Sequence, residues 1–237
     1  DEYVIRHLPV VLEGRLAGVL SDRDLLGLTG WKILGPDAPV DDSPRSVGEV
    51  MHVDPVTIHP EDEVVSAAVE VSVQAVGCLP VVEDDELIGI VSEMDLVRLI
   101  AEGVSQAKEG AGEVPAIGSI GAPRALTVDS KATLADIDEL MDARGIRHVP
   151  VMDGDKLLGM VSDRDMRRAL GAGLQLRTLA TDIMTEGVVT VPEEASLVQA
   201  AEAMSGRKIS ALVVAHESGE LGIVTTTDVL EYALNSL

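Results

Sequence analysis

The chain has 237 residues, with 18 Lys and Arg against 41 Asp and Glu, which gives a formal net charge of −23. Because proteins bind polyanions mainly through basic side chains, this charge argues against a nucleic-acid polymer as a partner. Hydrophobic residues make up 46% of the chain but only three residues are aromatic, so we expect a globular protein with an aliphatic core.

Two further features of the composition limit the setting of the protein. The single cysteine, Cys78, permits no internal disulfide, which favours a reducing and therefore cytoplasmic location. The longest apolar stretch, residues 64–82, is interrupted by serine, glutamate and glutamine, so it does not predict a membrane span.

A seven-residue string recurs four times along the chain. It reads GVLSDRD at 18–24, GIVSEMD at 89–95, GMVSDRD at 159–165 and GIVTTTD at 222–228. The copies follow one another at nearly equal steps, and such a regular recurrence predicts four structural repeats. We place copy one and its linker at 1–46, copy two and its linker at 47–119, copy three at 120–178 and copy four at 179–237.

The four copies are of two types that alternate along the chain. Copies one and three match at one constant offset, which aligns Arg6 with Arg147. Copies two and four match at another, which aligns Met51 with Met184. The chain therefore reads as a pair of copies one and two, followed by a pair of copies three and four.

Copy three shows the elements of one repeat in chain order. We predict a strand at 125–128, a helix at 133–143 from its amphipathic spacing, strands at 149–152 and 157–161, and a second helix over 162–170. The two later strands are joined by Asp153-Gly154, a hairpin signal. The order β-α-β-β-α predicts a mixed α/β (α+β) fold with helices covering a small sheet.

Copy one differs from the others in its length. When copies one and three are aligned, Asp1 matches Asp142 near the end of the first helix of copy three. We therefore expect copy one to lack its first strand and nearly all of its first helix. The Gly- and Pro-rich stretches 27–46 and 103–119 read as linkers, and we expect Trp31 in the first to fill a gap between domains.

The repeated string places a Ser or Thr where a strand meets a helix, with an Asp three residues later. There the hydroxyl and the first N–H groups of the helix form a site for an anion, and the carboxylate can accept both hydroxyls of a ribose. The same pattern also caps helices, so both interpretations stay open. The residues in this pattern are Ser21, Asp24, Ser92, Asp95, Ser162, Asp165, Thr225 and Asp228.

Together, the string Gly-apolar-apolar-Ser/Thr-x-x-Asp and the apolar-Pro-Val strand before it resemble the cystathionine-β-synthase (CBS) domain. The resemblance covers almost the whole chain and implies four CBS motifs in two Bateman modules, which in similar proteins stack into a disc. Such modules bind adenosine-containing ligands in clefts between paired motifs and regulate an attached or partner protein. The resemblance thus implies AMP, ADP or ATP as a regulatory ligand, no required cofactor, and either a homodimer or an effector protein as the macromolecular partner.

Charge ranks the copies as sites for a phosphate-bearing ligand. Copy three is complete and has Arg147, His148 and Arg164 beside its serine and aspartate. Copy one has equivalent residues, including Arg23, but lacks one wall of the expected pocket. For Arg23 and Arg164 a surface ion pair with a neighbouring aspartate is the alternative.

Copies two and four are expected to be secondary sites. At the turn they carry Glu93-Met94 and Thr226-Thr227, which offer no cation to a phosphate, although Arg207-Lys208 could supply one to copy four. Because the chain has no Phe, we expect the adenine ring to lie between aliphatic strands, with Val56 or Val189 near its face.

Motifs for catalysis and metal binding are absent from the sequence. It contains no Gly-x-Ser-x-Gly elbow, no Walker-type loop and no dinucleotide glycine fingerprint, and its histidines do not have the spacing of a zinc site. We predict a protein that is not an enzyme. Three alternatives stay open: the regulatory portion of a larger enzyme or transporter, similar to the insert in inosine monophosphate dehydrogenase; a module for S-adenosylmethionine, NAD, a cyclic dinucleotide or Mg; or a ligand-free scaffold.

Overall fold

The structure is a computed structural model that describes residues 5–27, 46–107, 116–120 and 124–235. Strands and helices follow one another in the order β-α-β-β-α where a copy is complete, which confirms the predicted fold class. Trp31 and most of the first linker lie outside the described residues.

Copies one and two supply the first half of the elements. Copy one consists of β1 (His7–Leu12), β2 (Arg15–Ser21) and α1 (Asp22–Gly27). Copy two consists of α2 (Val47–Val50), β3 (His52–Val53), α3 (Val64–Gln74), β4 (Cys78–Glu83), β5 (Glu86–Ser92) and α4 (Glu93–Ala107).

Copies three and four supply the second half, and short 3-10 turns at Ile117–Ser119 and Ala180–Asp182 precede them. Copy three consists of β6 (Val128–Asp129), α5 (Leu134–Arg144), β7 (His148–Asp153), β8 (Lys156–Ser162) and α6 (Asp163–Gly171). Copy four consists of β9 (Thr185–Glu186), β10 (Thr190–Pro192), α7 (Leu197–Arg207), β11 (Ala211–Ala215), β12 (Leu221–Thr225) and α8 (Thr226–Asn235).

Local signals explain the boundaries of α5. Thr133 caps its first turn, because the Thr133 hydroxyl accepts from the N–H of Asp136 while the Asp136 carboxylate accepts from the N–H of Thr133 at 2.8 Å. The helix ends at Gly145, whose φ of +64° is the left-handed conformation that glycine adopts readily. The helix predicted at 133–143 is confirmed to within one residue at each end.

Each copy contributes a two-stranded hairpin to a sheet, and short strands pair with the hairpins. In copy three the order is β6-β7-β8-β9, with β6 parallel to β7 and β7 antiparallel to β8. Copy four repeats the first three strands of this arrangement in the order β10-β11-β12. The strands of copies one and two form one sheet in the order β1-β2-β5-β4, with β3 paired to β2.

The chain divides into two compact units. Unit 1 consists of Asp1–Val19, His52–Arg124 and Val189–Leu237, and unit 2 consists of Leu20–Met51 and Ala125–Val188. Copy two shares a core with copy four in unit 1, where α4 packs against α7 and α8, and α3 packs against α8. In unit 2 the core lies between α5, α6 and the sheet of copy three, and α1 packs against α6.

Both cores are aliphatic, as the composition predicts. Leu79, Leu197 and Leu212 are fully buried in unit 1, and Leu134 and Val149 are fully buried in unit 2. Burial also raises the pKa of the Cys78 thiol to about 11, so this group stays protonated and packs as a small apolar side chain.

Candidate functional site

The recurring Ser/Thr-x-x-Asp turn has the same geometry in all four copies. In copy three the Asp165 carboxylate accepts from the Ser162 hydroxyl at 2.6 Å and from the Ser162 N–H at 2.9 Å, and the N–H of Asp165 donates back to the hydroxyl at 3.3 Å. This is a complete capping box. The same three bonds join Ser21 to Asp24, Ser92 to Asp95, and Thr225 to Asp228.

These capping bonds limit what the turn can offer to a ligand. The carboxylate of Asp165 uses Oδ2 for both of its bonds to Ser162, which leaves Oδ1 outside the box. At the start of α6 the N–H of Asp163 donates to the carbonyl of Arg147 at 2.9 Å. Two of the first N–H groups of the helix therefore already have acceptors, and a phosphate must find its donors among other groups.

Arg164 of copy three pairs with a carboxylate of copy one. Its Nε lies 2.8 Å from Oδ2 of Asp22, and both side chains are about two-thirds buried, with exposed fractions of 32% and 28%. The alternative to a phosphate contact, an ion pair with an aspartate, is thus present in this structure. A phosphate at copy three would bind beside an Arg164 whose charge is already partly compensated.

His148 lies near the two aspartates at the start of α6. Burial lowers the pKa of His148 to about 4, although the charges of Asp163 and Asp165 act in the opposite direction. The imidazole is therefore neutral at pH 7. A neutral ring can donate or accept one hydrogen bond, but it does not attract a phosphate by charge.

Arg147 lines a cavity of about 290 Å³ between α5 and α6. Its neighbours in the lining include Asp138, Asp142 and Asp163, together with Arg167. Three carboxylates against two guanidinium groups give this cavity an acidic character, which does not favour a phosphate.

Copies two and four differ from copy three in the residues around the turn. Glu93 of copy two accepts a hydrogen bond from the Thr226 hydroxyl of copy four at 2.7 Å. Asp95 has Arg98 as a neighbour, with Nη2 3.9 Å from Oδ1. Val56 and Val189 pack against the core of unit 1, so part of each side chain is already buried.

The basic residues of copy one lie near other copies. Arg6 donates from Nη2 to the carbonyl of Lys208 in copy four at 2.9 Å. The ring of His7 lies against Gly77 of copy two, where a Cβ atom would stand 2.5 Å from Nε2. The side chain of Arg23 lies outside the described residues.

Sequence reasoning missed one acidic residue in each unit, Glu93 in unit 1 and Asp22 in unit 2. Each bonds to the first or second residue of a helix two copies later. The two acids align when the recurring strings of copies one and two are matched, and this alignment could have marked them as equivalent residues. The contact itself depends on which helices pack together, and the repeat pattern does not reveal this.

The described part of the chain lacks two further kinds of feature. It contains no group of three or more His, Cys, Asp or Glu side chains placed to hold a metal ion. Among the same residues, no helix has the length and apolar character needed to cross a membrane.

Comparison with known proteins identifies the repeat. The CBS domain family model matches residues 1–29, 47–102, 117–172 and 180–235. These four segments together cover most of the chain, and each contains one copy of the recurring string.

Two proteins that are similar over nearly the whole chain come from archaea. Protein MJ1225 of Methanocaldococcus jannaschii, described as a candidate archaeal homologue of g-AMPK, is 24% identical over 98% of this chain and 89% of its own length. Its crystal structure matches 96% of this chain and 87% of that one with a TM-score of 0.71. A Pyrococcus horikoshii protein matches 98% and 92% with a TM-score of 0.67 and 19% identity. At these identities the likeness shows the fold alone.

Inosine-5'-monophosphate dehydrogenases of several organisms share part of the sequence. The inosine-5'-monophosphate dehydrogenase of Korarchaeum cryptofilum is 39% identical over 44% of this chain, which corresponds to 21% of the enzyme. The shared segment is therefore a small part of that enzyme.

Proposed function

This chain belongs to the CBS domain family, and on that premise we propose that it is a regulatory protein that binds an adenine nucleotide at the turn of copy three. The ligand is AMP, ADP or ATP. Binding changes the affinity of the protein for a partner because the ligand favours one of two packing states over the other. The description of the M. jannaschii relative as a g-AMPK homologue supports this role.

The observation that carries the proposal is the geometry of Asp165. Its Oδ2 is held by the backbone and hydroxyl of Ser162, so the carboxylate has a fixed direction. Oδ1 stays available to accept from the two hydroxyls of a ribose. A fixed acceptor lowers the entropy lost on binding, which favours recognition of the sugar.

A ligand-free scaffold is the second candidate function. It is favoured by the fact that the serine or threonine and the aspartate of every copy already form hydrogen bonds with each other. In that case the four turns have only the structural task of beginning a helix.

Titration calorimetry of the wild type and Asp165→Asn with AMP, ADP, ATP, NAD and S-adenosylmethionine tests the proposal. The amide that replaces the carboxylate retains an acceptor for Ser162 but loses the charge, so we expect a loss of at least about tenfold in nucleotide affinity. Asp228→Asn is the matched control, because it makes the same change in the capping box of copy four.

The two candidates predict different results. Equal nucleotide affinity in both variants and the wild type contradicts the assignment of Asp165. No binding of any nucleotide to the wild type, together with equal loss of stability in both variants, supports the scaffold. A melting temperature close to that of the wild type shows that a change in affinity does not come from unfolding.

A further inference from the structure

We infer that one face of α3 is a docking surface for a basic amphipathic helix of a partner protein. Val65, Val69 and Val73 form this face, and their exposed fractions are 40%, 40% and 72%. Residues four positions apart lie on the same side of a helix, so these three side chains form one continuous row, the valine stripe.

The valine stripe is separate from the side of α3 that packs into unit 1. That side consists of Ala67, Ala68 and Val71, which are 2–3% exposed and belong to the core shared with copy four. A helix with one apolar face normally buries that face and exposes polar residues elsewhere. α3 has a second apolar row that the described structure leaves exposed to solvent.

The repeat itself does not require this stripe. At the position of Val69, helix α5 of copy three has Glu139 and helix α7 of copy four has Glu202, and both glutamates are exposed. At the position of Val73 the two helices have Ala143 and Gly206, which are also exposed. At these two of its three positions the stripe is therefore a property of copy two and not of the fold.

The first turn of α3 is also less well capped than the first turns of the equivalent helices α5 and α7. Glu63 precedes the helix without a capping hydrogen bond from its side chain, whereas Thr133 and Ser196 cap α5 and α7. The first apolar residue, Val64, is 48% exposed, while the leucines at the equivalent positions are fully buried. Valine has a low helix propensity, so α3 has stability to gain when a partner covers it.

Charge selects the kind of partner. From residue 46 to residue 97 the chain has twelve Asp and Glu and no Lys or Arg. Glu61, Asp62 and Glu63 stand directly before α3, and Glu70 lies within it. A second copy of this surface would bring like charges together, whereas a helix with Lys or Arg beside its apolar row would bring opposite charges together.

A designed peptide tests the inference. The probe is a synthetic helix with leucines along one face and lysines on both flanks, and its partner probe has glutamates in place of the lysines. We expect the lysine peptide to bind the full chain, and we expect Val69→Glu to weaken that binding by at least about tenfold, because a charge would be buried against leucine. Amide exchange over residues 64–74 should slow when the lysine peptide is bound.

Ala143→Glu is the matched control, since it adds the same charge at an exposed stripe-equivalent position of α5. A non-specific attraction between a basic peptide and an acidic protein would increase in both variants, so only docking on the stripe predicts a loss in one of them. Val73→Glu, at the most exposed of the three valines, serves as a second variant if Val69→Glu lowers the melting temperature.

Three kinds of result would overturn the inference. The first concerns the lysine peptide: either its failure to bind the wild type or its equal affinity for Val69→Glu and Ala143→Glu contradicts docking on the stripe. The second is equally tight binding of the glutamate peptide, which would contradict charge complementarity. The third is a dimer of the chain in sedimentation experiments that Val69→Glu dissociates, which would identify a second copy as the occupant.

Discussion

Unit 1 and unit 2 contain the same repeat but differ in how many helices share a core. In unit 1 the helices of copies two and four form one cluster with 19 buried residues. In unit 2 copy one contributes α1 alone beside the helices of copy three, and the cluster has nine buried residues, both counts referring to the described residues. The helices and sheet of copy three therefore enclose a core with one short helix of copy one packed beside them.

Different chemical groups form the equivalent helix contact in the two units. At the start of the helices, unit 2 joins Arg164 to Asp22 by an ion pair, whereas unit 1 joins Thr226 to Glu93 by a hydrogen bond from a hydroxyl. Thr226 is 3% exposed, while Arg164 and Asp22 are about two-thirds buried. The neutral donor occurs where burial is deeper, since burying a full charge costs more free energy.

Truncating one equivalent leucine in each unit should cost the most folding stability. Leu134 in α5 and Leu197 in α7 occupy the same position of the repeat and are 0% and 1% exposed. Leu134→Ala and Leu197→Ala should each lower the free energy of unfolding by about 2–5 kcal/mol, because each leaves a cavity. Amide exchange measured along the chain should show the loss mainly in the unit that carries the substitution.

Equal loss of protection from amide exchange in both units, for both substitutions, would contradict this prediction. That result would mean that the two cores unfold as one cooperative structure.

A second comparison uses two equivalent glycines. A Cβ on Gly159 in unit 2 would stand 2.7 Å from Sδ of Met184 and 2.8 Å from the carbonyl oxygen of Thr185, whereas a Cβ on Gly89 in unit 1 would meet Val81 at 3.7 Å. We expect Gly159→Ala to destabilise the protein by about 1–3 kcal/mol and Gly89→Ala to change stability by less than about 0.5 kcal/mol. Urea denaturation of the two variants measures both values.

The backbone oxygen makes the Gly159 contact difficult to relieve, because a flexible methionine can move but a paired strand cannot. Equal stability of the two alanine variants would show that β9 shifts without cost, and it would remove this difference between the units.

A third comparison concerns the pH dependence of stability that His148 gives to unit 2 between pH 7 and pH 5.5. The pKa of His148 is lowered to about 4 in the folded state, against about 6.5 in an unfolded chain. Below pH 6.5 the unfolded chain takes up a proton that the folded protein does not. The free energy of unfolding therefore has its full value above that pH, as far as His148 is concerned, and falls as the pH drops towards 4. Between pH 7 and pH 5.5 the expected loss is about 1 kcal/mol.

His148→Ala provides the check on this prediction. Unit 1 has Ala211 at the equivalent position of copy four, so the variant gives copy three the side chain that copy four already has. The variant should lose most of the stability change between pH 7 and pH 5.5. An unchanged pH dependence would mean that another group titrates in this range.

Much of the fold could be predicted because its signals are local. The helix of copy three was expected at 133–143 from apolar spacing and lies at Leu134–Arg144, and the Asp153-Gly154 turn joins β7 to β8 with Gly154 at a φ of +58°. The first strand was expected at 125–128 but pairs only at Val128–Asp129. Its limits depend on where β7 offers hydrogen bonds, which periodicity does not show.

The candidate site was less predictable because its contacts join distant parts of the chain. The recurring string located Ser162 and Asp165, and their capping bonds were one of the two interpretations it allowed. The partner of Arg164 stands 142 residues earlier, in a helix that packs on α6 only in the folded chain. The neutral state of His148 likewise follows from burial, which residue types alone do not give.

The capping boxes have a consequence for how such repeats change over evolutionary time. Because the aspartate of each copy accepts hydrogen bonds that hold the first turn of a helix, replacing it costs folding stability in any copy, whether or not that copy binds a ligand. Selection for a folded protein alone would therefore retain Ser/Thr-x-x-Asp in a copy that had lost its ligand. Change in such a repeat would then appear in the residues beside the motif, which are Glu93-Met94 in copy two and Thr226-Thr227 in copy four but Asp163-Arg164 in copy three, while the motif itself remained.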